Sequence, residues 1–345
     1  EEVLLTGKYD DKKRLYEIIA ELKSKLQMSL MSAGHAASSL RAGSYFSESM
    51  ALKEEINGIK FYKFVEDLEK NFEDRFEDLK NALNEIIRMI IRPDCLIVSC
   101  TCTPDGADIV KERVAEFADR LKGSADISGT SEKTADFRDR HYDFYGKGFV
   151  LEKKNEAFRT SGSVNYLARA GKFADSSDEF TGSIAVFQTI MRYDYLWFNI
   201  RVQGGAYGCM CNANAAGNMN FVTYRDPNIS RSNEVFEGIC DYLENFDCDE
   251  REMTKYVIGT MSNVDMPVTP SIRGMRDMSG YLTCEDHAGK QRVRNEMISC
   301  TCEDIRKLAP LIRRVLEGGN ICCVGGESKI NEDSALFNSI TNLFE

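Results

Sequence analysis

The chain has 345 residues, with 55 acidic against 44 basic side chains for a formal net charge of −11, and is 43% hydrophobic and 29% charged. That balance suits an ordinary soluble globular chain of about two domains, lacks the basic footprint that nucleic acid requires, and contains no apolar run near the roughly 20 residues that cross a bilayer. Twelve cysteines are diluted along the chain, with pairs at Cys100/Cys102, Cys209/Cys211 and Cys322/Cys323 and no C-x-x-C. They read as reduced packing residues of a cytoplasmic compartment, not as a disulfide framework or a zinc site. The opening Glu1-Glu2-Val3-Leu4-Leu5 has neither an initiator Met nor the basic-then-apolar order of a signal peptide. The expectation is therefore a piece of something longer.

Residues Asp10 to about Leu30 carry Leu15, Ile18, Ile19, Leu22 and Leu26 on one stripe, which predicts a helix. A small-residue segment, Ser32 to Ser39, and Arg41 to Ser49 follow. From Ile59 to Ile91 apolar positions recur every three or four residues, predicting helix with a break near Asn71. Pro93-Asp94 stops it. The apolar, β-branched run Cys95 to Cys102 predicts a buried strand, and Asp105 to Leu121 another helix. Up to residue 122 this gives helices with a single strand, too few strands for a sheet those helices could cover. The expected first domain, 1–122, is thus the later part of a domain without its front. Residues 123–145 are polar and rich in Gly, Ser, Asp and Arg, which suits a linker or surface loop.

Residues 146–345 read as a complete domain. Its predicted strands are Gly148 to Lys153, Gly162 to Ala170, Cys209 to Asn214 and Met219 to Tyr224, and its helices Ser230 to Asn245, Asp249 to Asn263, Pro270 to Tyr281, His287 to Ser299 and Thr301 to Glu317. The end of the chain repeats the end of the first domain: Glu85 to Leu121 and Ile312 to Phe344 both go helix, turn, apolar Cys-containing strand, polar turn, helix. The fold class expected is α+β, two related domains with antiparallel sheets covered by helices, the first truncated at its N-terminus.

Trp197-Phe198-Asn199-Ile200-Arg201-Val202-Gln203-Gly204-Gly205-Ala206-Tyr207-Gly208 closes an apolar helical segment and opens a strand that ends in Tyr224-Arg225-Asp226-Pro227. An arginine in the last helical turn, a Gly-Gly break and a tyrosine six residues beyond put two strong hydrogen-bond donors at one corner. Two readings stay open. Either Arg201 only caps helix carbonyls and complements the helix dipole, with Gly204 or Gly205 as the left-handed stop, or the pair does chemistry. Tyr224-Arg225-Asp226-Pro227 reads as a strand-end turn with an Arg-Asp pair. The glycine run follows a helix and precedes a strand, the reverse of a phosphate loop. No H-x-x-E-H, H-E-x-x-H, Walker or G-x-S-x-G motif is present, and His35, His141 and His287 lie far apart. The chain shows no metal site and no catalytic set of its own.

These runs resemble the C-terminal half of the pitrilysin/insulinase superfamily of zinc metallopeptidases, in its presequence-protease branch. His35-Ala36-Ala37-Ser38, Ser44-Tyr45-Phe46-Ser47-Glu48-Ser49 and Gly58-Ile59-Lys60-Phe61-Tyr62-Lys63-Phe64 agree with it, and the resemblance runs from about Leu5 to Phe344. Members are built from four related α+β domains in two halves that close around a peptide. The resemblance implies that this chain is the later third and whole fourth domain of a zinc metalloendopeptidase degrading unstructured peptides, with the zinc held by the N-terminal catalytic half as partner. It further implies that Arg201 and Tyr207 are catalytic donors to the carbonyl attacked by zinc-bound water, with Gly204 and Gly205 beside the substrate. The rival reading is a non-catalytic scaffold or peptide-binding homologue of the same fold.

Overall fold

Apolar residues spaced for helices and for alternating strands sort this chain into two units, which the computed structural model describes over residues 2–124, 149–175 and 180–344. One comprises Glu1–Lys23, Val65–Phe144 and Pro267–Asp286, the other Ser24–Phe64, Tyr145–Met266 and His287–Glu345.

In the first unit the expected break falls at Asn71, between the helices Ile59–Lys70 and Phe72–Ile90. The Asn71 side chain turns back to donate to the Asp67 carbonyl (3.1 Å), a local bond that competes with helix propagation. Ile19, Val65, Leu68, Phe72, Phe76 and Leu121 are buried, and Tyr16 packs its ring 5.4 Å from Phe72. The helices Glu2–Thr6, Pro104–Ser124 and Pro270–Leu282 and the first part of the helix Lys12–Ser32 belong to the same unit. Cys95 to Cys102 is not a strand. A short 3₁₀ turn occupies Pro93–Cys95, and the extended residues beyond it have no strand beside them among the described residues. Ile97 and Val98 stand half exposed. The β-branched composition is legible, but a strand exists only with a neighbour to accept its ladder.

The second unit is built on one six-stranded sheet in the order β3-β4-β2-β5-β1-β6, with β1 at Asn155–Thr160, β2 Tyr166–Lys172, β3 Gly208–Ala213, β4 Asn218–Tyr224, β5 Asn320–Gly326 and β6 Ser339–Asn342. The α+β class holds. The sheet, however, is mixed: β1 runs parallel to β5 and to β6, while β2 is antiparallel to both β4 and β5. Residues 149–153 are not in a strand, and the helix expected after β5 is the short Glu327–Glu332, beyond which the chain end forms β6. The 123–145 segment lies, from residue 125, outside the described residues.

Helices cover both faces. Tyr166, Ala168 and Ala170 of β2 and Cys322 and Val324 of β5 pack with Ala37 and Ala42 of the helix Gly34–Gly43. Leu167 and Cys323 join Phe187, Phe221 and Phe236 on the opposite face. The period of two along each strand therefore sends neighbouring residues to different cores, and Cys322 and Cys323 are packing residues as expected. So are the buried Cys209, Cys211, Cys240 and Cys300, whereas Cys95, Cys100, Cys102 and Cys284 are exposed. Gly34 lets its helix lie against the sheet, since a Cβ there would sit 2.2 Å from the Tyr166 ring.

A charged cluster is buried in this unit. Arg41 donates to Glu156 (2.6 Å) and to Glu54 (3.4 Å), and the Tyr45 hydroxyl donates to the same Glu156 oxygen (2.5 Å).

Candidate functional site

The apolar run Gly182–Ile190 is an α-helix that widens into π-helical turns at Met191–Tyr195 and Trp197–Val202. The bond from the Gln203 N–H to the Phe198 carbonyl (2.9 Å) spans five residues, a widened turn that recurs at functional sites. The turn lays Trp197 and Arg201 on one face, with the Arg201 guanidinium carbon 4.1 Å from the Trp197 ring centroid, within cation–π range.

Gly205 stops the helix. Its left-handed φ of 77° turns the chain so that its own N–H donates to the Arg201 carbonyl (3.0 Å) and the Ala206 N–H to that of Ile200 (3.1 Å). Asn228 donates its side-chain amide to the Gly204 carbonyl (2.7 Å) and Arg231 its guanidinium to that of Gln203 (3.1 Å). Gly204 has a different reason to be glycine, since a Cβ would lie 2.4 Å from the Ile200 carbonyl oxygen. The capping duty is thus carried by backbone, Asn228 and Arg231. The Arg201 side chain is left stacked and exposed.

Tyr207 enters β3 beside the end of β4, its N–H donating to the Arg225 carbonyl (3.3 Å). Its ring is 65% exposed and lies 5.6 Å from the Arg201 guanidinium. The two residues singled out by the sequence are therefore neighbours, and neither has an acidic partner among the described residues. A row of side chains continues from them: Tyr224 meets Tyr207 edge-on at 5.7 Å, and His35 meets Tyr224 edge-on at 4.8 Å. The Arg225 guanidinium stands 5.6 Å from the Tyr224 ring. Burial lowers the pKa of His35, so its ring is neutral at neutral pH.

The expected Arg225–Asp226 pair does not form. Asp226 is fully buried, accepts from the Ser232 hydroxyl (2.6 Å) and the Asn228 N–H (2.9 Å), and exchanges backbone bonds with Asn165 (2.9 and 3.0 Å). Its neighbour Arg225 is thereby held in a left-handed conformation, φ 49°, that costs a non-glycine residue. Sequence reasoning missed Trp197, Tyr224, His35 and Arg225 as members of this surface. The i, i+4 spacing of Trp197 and Arg201 was available, but the approach of His35 requires the tertiary fold.

Chemically the surface offers a fixed guanidinium and a phenol, both able to donate to an oxygen carrying developing charge. Tyr193, Trp197, Phe198 and Val202 stand exposed on the same helical segment. Among the described residues no three His, Cys, Asp or Glu side chains gather as a metal site. His141 lies outside the described residues. No described helix is long and apolar enough to cross a membrane.

Residues 155–327 match the family model described as PreP C-terminal domain, and residues 1–68 the model of the segment associated with peptidase family M16, subfamily C. Protein HypA of Clostridium perfringens is 33% identical over 336 residues, covering 97% of this chain and 33% of that protein. Presequence protease 1, chloroplastic/mitochondrial, of Arabidopsis thaliana is 27% identical over 338 residues, covering 98% of this chain and 30% of that protein. The chain spans about a third of the length of the curated relatives it matches. Among solved structures, a peptidase M16 inactive domain from Pseudomonas fluorescens aligns with a TM-score of 0.40 at 12% identity, covering 63% of this chain and 51% of that one, too slight a likeness to argue from.

Proposed function

The chain belongs to the PreP C-terminal domain family of M16 peptidases, and from that premise we propose that it forms the C-terminal part of a metalloendopeptidase that degrades unstructured peptides. In this reading it lines the peptide chamber, and a separate N-terminal catalytic half of the same parent holds the zinc. Arg201 and Tyr207 act on the peptide carbonyl under attack. The chain by itself is inactive. Relatives named as mitochondrial or chloroplastic proteases make an organellar matrix the alternative to a cytoplasmic site.

The observation that carries the reading is the pairing of an exposed guanidinium and an exposed phenol 5.6 Å apart, at a helix end whose carbonyls are already capped by other groups. A guanidinium stays charged at every physiological pH and donates in a fixed fork. The phenol adds a second donor, on a ring set edge-on to Tyr224. Two such groups aimed at an oxyanion stabilise it at about 3 kcal/mol each once water is excluded. Exposed Gly205 leaves room for a peptide backbone at the corner, and buried Gly204 holds the turn behind it.

The test is kinetic and uses the full-length parent. Arg201→Ala and Tyr207→Phe should each lower kcat/KM about a hundredfold while zinc content and fold stay unchanged. Near-normal kcat/KM in both variants would overturn the assignment. The exposed Tyr193, Trp197, Phe198 and Val202 favour a second reading, a peptide-binding homologue without catalysis. For that reading the parent's upstream sequence would lack H-x-x-E-H, and the same substitutions would weaken peptide binding in a protein that turns nothing over.

A further inference from the structure

Of the twelve cysteines, Cys248 and Cys302 form a pair joined in space across a long stretch of chain, with both side chains within reach of solvent. Their sulfurs lie 3.3 Å apart although 54 residues separate them in sequence. The Cys302 thiol also reaches the Cys248 carbonyl oxygen (3.6 Å). Both side chains are half-buried. Together with Met253 and Cys300 they line a surface cavity of about 360 Å³, large enough for a small oxidant and its water. Cys300, only two residues from Cys302, points elsewhere, toward the Thr301 carbonyl (3.9 Å), and is buried.

The backbone holds the pair on both sides. Cys248 precedes Asp249, whose carboxylate caps the helix Glu250–Val264 by accepting from the Glu252 N–H (2.8 Å). Cys302 follows Thr301, which closes a reciprocal capping box with Asp304. Arg306 then bridges the two segments by donating to the Phe246 carbonyl (2.7 Å). A disulfide needs a sulfur separation near 2.05 Å and suitably placed backbones. Here the thiols are already in contact across two fixed turns.

We propose that Cys248 and Cys302 are a redox site that oxidises to an intramolecular disulfide, with hydrogen peroxide or an equivalent two-electron hydroperoxide as oxidant. One thiol, as its thiolate, attacks the peroxide, giving a sulfenic acid and one water. The second thiol attacks that sulfur, forming the S–S bond and releasing the oxygen as a second water. Two electrons and two protons leave the thiols and reduce one peroxide to two waters. Burial first, then the neighbouring Cys302, pushes the Cys248 thiol up, so its thiolate forms less readily than that of a free cysteine. The bond closes a loop holding the helix Glu250–Val264, the Pro267–Asp286 segment and the helix His287–Ile298. The helix Glu250–Val264 is in turn bonded to the helix Gly182–Ile190 through the Thr189 and Thr260 hydroxyls (2.7 Å). The proposal stands apart from the peptidase reading and needs none of it.

The test uses the chain with the exposed Cys95, Cys100, Cys102 and Cys284 replaced by Ser, reduced and then given stoichiometric peroxide. Expected are the loss of two titratable thiols, an intact mass lower by about 2 Da, a proteolytic fragment joining Cys248 to Cys302, reversal by dithiothreitol, and a thermal midpoint several degrees higher when oxidised. Cys302→Ser abolishes all of these and Cys300→Ser none. If the multiple variant folds poorly, peptide mapping of the unaltered chain after brief alkylation of its exposed thiols gives the same linkage. A crosslink through Cys300, one that survives Cys302→Ser, or over-oxidation of Cys248 and Cys302 without any crosslink would each overturn the proposal.

Discussion

Glu54 shows how one side chain couples this fold to pH. It is wholly buried, its Oε1 accepts from the Lys60 N–H (3.2 Å) and weakly from Arg41, and its Oε2 has no partner among the described residues. Burial is the largest influence on it and lifts its pKa from 4.5 to about 7, with the Arg41 charge opposing. The folded state therefore keeps a proton that the unfolded chain releases near 4.5. The resulting stability is complete below that pH and is lost as pH rises through about 7, roughly 3 kcal/mol in all. Glu54→Gln should flatten the pH dependence of urea unfolding between about pH 5 and 8 and leave the variant the more stable protein at the alkaline end. An unchanged slope would mean that Glu54 is ionised throughout. Nothing in the sequence marks Glu54 among its glutamates. Its burial follows from where Arg41 and Gly58 sit: a Cβ on Gly58 would lie 1.8 Å from Glu54 Oε2.

The helical segment from Gly182 to Val202 carries the site through two properties of different legibility. Its apolar content and its stop at Gly204-Gly205 can be read from residue types. The widened turn that stacks Arg201 on Trp197 cannot, because it depends on how the segment fits the sheet beneath. If that stacking fixes the guanidinium, Trp197→Ala in the full-length parent should lower kcat/KM about three- to thirtyfold, the worth of one cation–π contact, while Trp197→Phe keeps most of the activity. Equal effects from both substitutions would point to a packing role only. The helix break at Asn71 and the positions of β2, β3 and β4 are legible within a few residues, since they rest on local periodicity. Cys95 to Cys102 misleads because its strand-like composition says nothing of a partner. The same limit hides the parallel pairing of β1 with β5 and β6, which joins residues remote in sequence. At the site, Arg201 and Tyr207 emerge from spacing and resemblance together, whereas His35 and Tyr224 are brought in by folding.

For the whole molecule, the two units differ in how they shield their backbone. The sheet of the second unit has buried residues on both faces, and every residue of β5 is buried. In the first unit the helix Pro104–Ser124 is mostly exposed. Amide exchange should follow: the β2 and β5 amides should exchange only on global opening, at least about a hundredfold more slowly than those of Pro104–Ser124. Comparable rates in the two would show that one cooperative transition governs both. The acidic balance of −11 disfavours self-association by like-charge repulsion without prescribing a partner.

The place of β5 in the sheet has a further consequence for how the protein is made. It lies between β2 and β1 and pairs Ile321 with both Asn155 and Arg169. A ribosome delivers β1 to β4 long before β5. Until it emerges, β1 has neither parallel neighbour, and β2 offers the nascent chain one bare, largely apolar edge. The sheet of this unit can therefore close only after synthesis has passed Gly326, so its newly made strands depend on delay or on chaperones rather than on early local folding.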